Sequence, residues 1–182
     1  MATRLLLLAD THVPVRARAL PAQVLAAVDE ADLVVHAGDW VGEAVLDELQ
    51  ARCAAAGARL LGVAGNNDGP GLRARLPEVA RDDVEGLRLA VVHETGPAGG
   101  RERRCAAAFP DVDVLVFGHS HIPWDSTALR PGGGSLRLLN PGSPTDRRRQ
   151  PACTYLTALA ADGALHDVVL HALPLRGGRP PG

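Results

Sequence analysis

Five short apolar runs in this chain each end in polar residues able to bind a metal ion or move a proton. LLLLA runs into Asp10, Thr11 and His12. LVVHAG runs into Asp39, and LLGVAG into Asn66, Asn67 and Asp68. LAVV runs into His93 and Glu94, and VLVFG into His119, Ser120 and His121. The donors are carboxylate, amide and imidazole, with no thiolate. That set suits divalent Mn, Fe, Ni, Co or Zn better than soft-ligand metals. Asp10, His12, Asp39, Asn66, His93, His119 and His121 together exceed what one tetrahedral ion needs. They suit two ions roughly 3.5–4 Å apart with one carboxylate shared. Residues two apart in extended chain point the same way. Asp10 can therefore share a target with His12, as can His119 with His121. Singly the motifs are weak, since Asp-x-His arises by chance and Gly-Asp and Gly-Asn-Asn-Asp are ordinary turns. Their order, each at the end of an apolar run, carries the reading.

The elements that must position these residues are legible from pattern. RLLLLAD, DLVVHAGD and RLLGVAGNND read as buried strands. Between them, LPAQVLAAVDEA reads as a helix with Pro21 in its first turn. GEAVLDELQARCAAAG reads as a second helix, capped by Gly57. This β-α-β-α-β order predicts parallel strands, with ligands gathered beyond their carboxyl ends. The second half is richer in strands. EVARDDVEGLRLAVVHE predicts two strands joined at Glu85-Gly86, and DVDVLVFGHSH one more buried strand. RERRCAAAFP is a short helix. STALRPGGGSLRLLN is a hairpin over a glycine-rich turn, and ACTYLTALAADGALHDVVLHAL a hairpin over Asp162-Gly163. No repeat or interdomain linker is evident. One domain over residues 1–173 is expected, with 174–182 as a disordered tail.

Composition narrows the function classes. The chain has 182 residues, 46% of them hydrophobic and 22% charged, enough for one full core. Its net charge of -2 gives no global field toward nucleic acid or anionic membrane. All 19 basic residues are Arg, which excludes lysine chemistry. Cys53, Cys105 and Cys153 match no metal spacing and read as reduced thiols. The N-terminal apolar run is shorter than the roughly 7–15 residues of a signal peptide core. No run approaches the ~18 residues of a membrane span. A soluble, cytoplasmic protein is expected, with homo-oligomers allowed.

The order D-x-H, G-D, G-N-x-D, H and G-H-x-H resembles the calcineurin-like metallophosphoesterase superfamily. The short chain and the NPGS at 140–143 are similar to its YfcE-like phosphodiesterase branch. The resemblance covers residues 4 to about 172. It implies an α/β fold, a four-layer αββα sandwich with two mixed β-sheets. It implies two divalent ions, Mn2+ foremost, with Ni2+, Fe2+, Co2+ or Zn2+ as alternatives. Asp10, His12 and His121 would hold the first ion, and Asn66, His93 and His119 the second. Asp39 would bridge them. Asp39, Asn66 and His119 would act in catalysis, as a water or hydroxide between the ions attacks phosphorus. The substrate implied is a small phosphodiester.

The sequence departs from the superfamily pattern at two points. Phosphatase members read G-N-H-D, and that His assists the leaving group. Here Asn67 fills the position, and the YfcE-like branch also commonly lacks the His. Glu94 stands where a Gly often follows the His. Other polar residues have bland readings beside functional ones. His36 reads as a core or supporting histidine, and His166 and His171 as structural. Asp68 could orient Asn67 or its loop. Trp40 could wall the pocket or pack under it. Asn67, Asn140, Ser143 and Arg147 are candidate substrate contacts, the last within the run Arg147-Arg148-Arg149. Two rivals to the diesterase reading stand: a phosphomonoesterase of the same fold, and a non-catalytic scaffold like the retromer-subunit branch.

Overall fold

The computed structural model describes residues 1–174. Most of the expected tail at 174–182 therefore lies outside the described residues. The first sheet takes its parallel centre from the first half of the chain. Strand β1 (Thr3–Leu8) leads through helix α1 (Ala22–Glu30) to β2 (Leu33–His36), then through α2 (Glu43–Ala56) to β3 (Arg59–Gly62). β1 pairs in parallel with β2, and β2 with β3. Gly57 closes α2 at φ 72°, a left-handed cap that glycine adopts without a Cβ penalty. A short helix α3 (Pro70–Arg75), not among the expected elements, follows the third ligand-bearing loop.

The second half supplies the other sheet and completes the first. β4 (Val79–Val84) and β5 (Leu87–Val92) form an antiparallel hairpin. Its turn residues Glu85 and Gly86 sit at φ 53° and 80°, the two left-handed positions of a tight hairpin turn. After α4 (Arg101–Ala108) come β6 (Val114–Val116), β7 (Trp124–Leu129) and β8 (Ser135–Asn140). Strand order here is β4-β5-β6-β8-β7, with β5, β6 and β8 parallel. β9 (Thr154–Ala161) and β10 (Ala164–Ala172) return to the first sheet, which runs β10-β9-β1-β2-β3. Both sheets are thus mixed, as expected, and each has five strands.

Strand alternation builds the layers. Leu5 and Leu7 of β1 face one way, into a core shared with Leu89, Val91, Val114, Val116 and Leu139 of the opposite sheet. Leu6 and Leu8 face the other way, against Val24 and Val28 of α1 and Leu46 and Leu49 of α2. On the far side, Ala90, Leu115, Leu136 and Leu138 pack with Cys105 of α4. Three apolar layers therefore separate helices, sheet, sheet and helix. Each fully buried Leu or Val contributes about 1.5–3 kcal/mol. The face between the sheets matters most for the site, because it brings the ends of β1, β2 and β3 against those of β5 and β6.

Candidate metal centre

Every candidate ligand lies just beyond the carboxyl end of a strand. β1 ends at Leu8 before Asp10 and His12, β2 at His36 before Asp39, and β3 at Gly62 before Asn66. β5 ends at Val92 before His93, and β6 at Val116 before His119 and His121. The backbone there leaves the extended form at once. Asp10, His12, Asp39, His119 and His121 have φ of 54°, 44°, 59°, 69° and 57°. Left-handed non-glycine residues cost of order 1–3 kcal/mol each and cluster at functional sites.

This geometry decides between the pairings that spacing left possible. Asp10 and His12 do share a target, with Oδ1 and Nε2 3.9 Å apart. His119 and His121 do not. His121 Nε2 lies 3.1 Å from His12 Nε2 and 3.4 Å from Asp10 Oδ1. His119 Nδ1 lies instead 2.9 Å from Asn66 Oδ1, whose oxygen is also 2.9 Å from His93 Nε2. The same-side rule applies to extended chain, and left-handed residues at 119 and 121 turn the two rings to different groups. Asp39 stands between the groups. Its Oδ2 is 3.5 Å from His12 Nε2 and its Oδ1 3.5 Å from His93 Nε2.

The residues fit divalent ions on three counts. First, carbonyl partners fix two ring tautomers. His121 Nδ1 donates to the Asp146 carbonyl at 2.7 Å, and His93 Nδ1 to the Ala37 carbonyl at 2.8 Å. A carbonyl only accepts, so each Nδ1 carries the proton and each Nε2 presents a lone pair. Lone pairs then face carboxylate and amide oxygens, which repel unless a cation lies between them. Second, Asp10 is fully buried and its Oδ2 has no hydrogen-bond partner. Burial pushes its carboxyl well above the usual carboxylate range, and the charge of Asp39 adds to this. An ion would relieve both. Third, ligands about 2.1 Å from one ion lie about 3.0 Å apart at right angles and about 3.4 Å apart in a tetrahedron. The separations of 2.9 to 3.5 Å around Asn66, Asp39 and His12 match. Asp10, His12 and His121 form one compact cluster, and Asp10, Asp39 and His93 another.

Burial also favours the neutral form of three imidazoles. It lowers His12 and His93, and brings His121 down to about 4. Neutral rings are the form that binds metal.

Support comes from residues beneath. Asp68, 5% exposed, accepts from the backbone N–H of Gly65 and Val41 at 2.7 Å and of Asp39 at 3.2 Å. It clamps the Asp39 loop to the Asn66 loop through backbone N–H groups. Asn67 donates to the Asp39 carboxylate, from its backbone to Oδ1 at 2.8 Å and from its side-chain amide to Oδ2 at 2.6 Å. Gly65 permits the approach: a Cβ there would stand 2.2 Å from Asp39 N and Oδ1. His36 is fully buried, accepts from Gly38 N, and stacks on Trp40 with centroids 3.5 Å apart. Trp40 packs under the site, its indole N–H on the Val63 carbonyl.

The candidate substrate contacts divide. Asn140 and Ser143 are fully buried. Asn140 holds the Gly118 carbonyl and Gly142 N–H, and Ser143 the Asp10 carbonyl. Contrary to the expectation of substrate contact, both support loops, because their polar atoms are bonded inward. Arg147 bonds the Gln150 carbonyl and lines a separate surface hollow with Pro21 and Gln23. Its neighbour Arg148 faces the centre instead, donating to the His119 carbonyl at 3.2 Å. Sequence reading missed Arg148 and Asp146 as individuals; the DRRR run after NPGS was the only signal. Glu94 stands exposed on the rim, 3.9 Å from His119 Nε2. His171 stacks on Tyr155, away from the centre.

Known proteins share this architecture. The model of the calcineurin-like phosphoesterase superfamily domain matches residues 3–163. A probable metallophosphoesterase from Methanocaldococcus jannaschii is 32% identical over 141 residues, covering 76% of this chain and 66% of that relative. The solution structure of a Thermotoga maritima protein is 30% identical, with a TM-score of 0.71, covering 94% of this chain and 99% of that one. A mutant of Vps29 from Entamoeba histolytica shares the fold at 22% identity and TM-score 0.67, covering 94% and 99% of the two chains. The family match spans strands β1 to β9 and every loop that carries a candidate ligand, and the chain belongs to the calcineurin-like phosphoesterase superfamily.

Proposed function

We propose that this chain is a metal-dependent phosphodiesterase working with two divalent ions, Mn2+ first among them. The observation that carries the reading is Asp39, whose two oxygens face the two ligand groups at 3.5 Å each. When bound, such a pair of ions activates water, aligns the ester and neutralises charge built up during in-line displacement. The chain's own residues do the rest. Asp10, His12 and His121 would hold one ion, Asn66, His93 and His119 the other, with Asp39 shared. The Asp146 and Ala37 carbonyls keep two imidazoles aimed inward with free lone pairs. Asn67 steadies Asp39 and has no proton to give at neutral pH. A general acid typically contributes about 10²–10⁴-fold. Its absence at this position favours esters whose leaving group needs no proton, such as aryl or some nucleotide diesters, over alkyl monoesters. A cytoplasmic setting belongs to the same proposal; no helix among the described residues is long and apolar enough to cross a membrane.

The test compares bis(p-nitrophenyl) phosphate with p-nitrophenyl phosphate in Mn2+. The diester should be preferred, and Asp39→Asn should lose the activity. Full activity in that variant removes the two-ion mechanism. Asn67→His should raise the monoester-to-diester ratio; an unchanged ratio removes position 67 from the preference. The likeness to Vps29, a vacuolar protein sorting protein, favours the scaffold rival. Against it, all seven ligand positions carry competent donors that converge. A purified protein with no bound metal, and no activity with Mn2+, Ni2+, Fe2+, Co2+ or Zn2+, would decide for the scaffold.

A further inference from the structure

Beside the ligand clusters, on the His12 side, lies an open cavity of about 320 Å³. That is roughly ten times a water's share of liquid volume, more than one phosphoryl group fills. Its lining combines three chemistries. His12 and Asn67 join it to the centre, Val15 and Val41 give it an apolar side, and Arg16 and Arg148 a cationic one that also carries Asp146.

Arg148 is held in place by the loop after NPGS. Thr145 Oγ1 donates to the Thr11 carbonyl at 2.6 Å, and Ser143 Oγ to the Asp10 carbonyl at 2.7 Å. The same loop receives His121 Nδ1 on the Asp146 carbonyl. Arg148 itself adopts φ 47°, a conformation uncommon for a bulky residue. Its backbone N–H is on Asp146 Oδ1 at 3.2 Å. The guanidinium reaches the His119 carbonyl, and its charge acts on Asp10, His12 and His121. Among the described residues it pairs with no carboxylate. Arg16 is partly neutralised, with Nε 3.3 Å from Asp146 Oδ2. Two guanidiniums against one carboxylate leave this wall with a surplus positive charge. The metal ions would already meet the single charge of the ester. An unpaired, positioned guanidinium suits a further phosphate, which its planar fork binds through two parallel hydrogen bonds.

We propose that Arg148, assisted by Arg16, binds a second phosphate carried by the substrate. The substrate class is then a phosphodiester whose one ester arm lies along Val15 and Val41 and ends in a phosphate group. This rests on the diesterase reading and narrows it.

The experiment uses the full chain loaded with Mn2+ and two chromogenic diesters differing in one group. They are the p-nitrophenyl ester of thymidine 5′-phosphate with and without a 3′-phosphate. The native chain should prefer the 3′-phosphorylated ester at least tenfold in kcat/KM, chiefly through KM. Arg148→Gln should bring that ratio near one. Arg148→Lys should keep part of it, because charge survives without the fork. Arg149→Gln, in the same run but outside the cavity lining, should keep the native ratio. A native ratio near one overturns the inference, as do equal losses on both esters in Arg148→Gln. If bis(p-nitrophenyl) phosphate is cleaved while the ratio is one, only this inference falls. If no diester is cleaved with any of the metals, the diesterase reading falls and takes this inference with it.

Discussion

Gly65→Ala is the sharpest test of how the centre is built. Gly65 has an ordinary backbone conformation, so the argument is one of space alone. A Cβ at this position would stand 2.2 Å from both Asp39 N and Asp39 Oδ1. Ordinary contact begins at 3.4 Å, so the Asp39 loop must withdraw by about 1.2 Å. That loop has no easy way to give, because Asp68 ties Asp39, Val41 and Gly65 to one carboxylate. A misplacement of about 1 Å at a reacting centre costs about 10²-fold in rate. Overpacking adds about 1–3 kcal/mol of lost stability. The assay is the Mn2+-dependent kcat on bis(p-nitrophenyl) phosphate, beside metal stoichiometry and thermal unfolding. Gly69→Ala is the control, since a Cβ there meets nothing within 4 Å. Diesterase activity within threefold of native and full metal occupancy in Gly65→Ala would refute the placement of Asp39.

Two further outcomes follow from buried groups. Asp68→Asn keeps shape but turns an NH2 toward backbone N–H donors in either amide orientation. A loss of about 2–3 kcal/mol in urea unfolding is expected, with weakened metal retention; no loss would show that Asp68 is not a clamp. His36 is buried and neutral, its pKa lowered well below the ordinary imidazole value by desolvation, with His93 and His12 adding to it. The unfolded chain binds a proton below about 6.5 that the folded chain refuses, so this stability is present above that pH and lost as pH falls. Between pH 7.5 and 5.0, native protein should lose about 2 kcal/mol more than His36→Gln. Parallel losses in the two proteins would show that His36 titrates normally when folded.

The sequence determined the strands and the donors. LLLLA, LVVHAG and VLVFG are apolar runs too short for buried helices, and each breaks into groups that a core does not tolerate unpaired. Asp162-Gly163 and Glu85-Gly86 fixed two hairpins, because left-handed turn positions suit such residues. Identity and order of the seven candidate ligands were legible for the same local reasons. Spacing alone left their partnership open, and only the family resemblance assigned it. His119 and His121 are two residues apart, yet left-handed backbone sends them to different clusters, and His121 meets Asp10 across 111 residues of chain. The tertiary structure decided the rest as well: that Asn140 and Ser143 are bonded inward, that Asp68 clamps three backbone N–H groups, and that Arg148 rather than Arg147 faces the centre. Such distinctions depend on which loops two packed sheets bring together. Local pattern records what a residue can do, while packing between sheets decides what it is near.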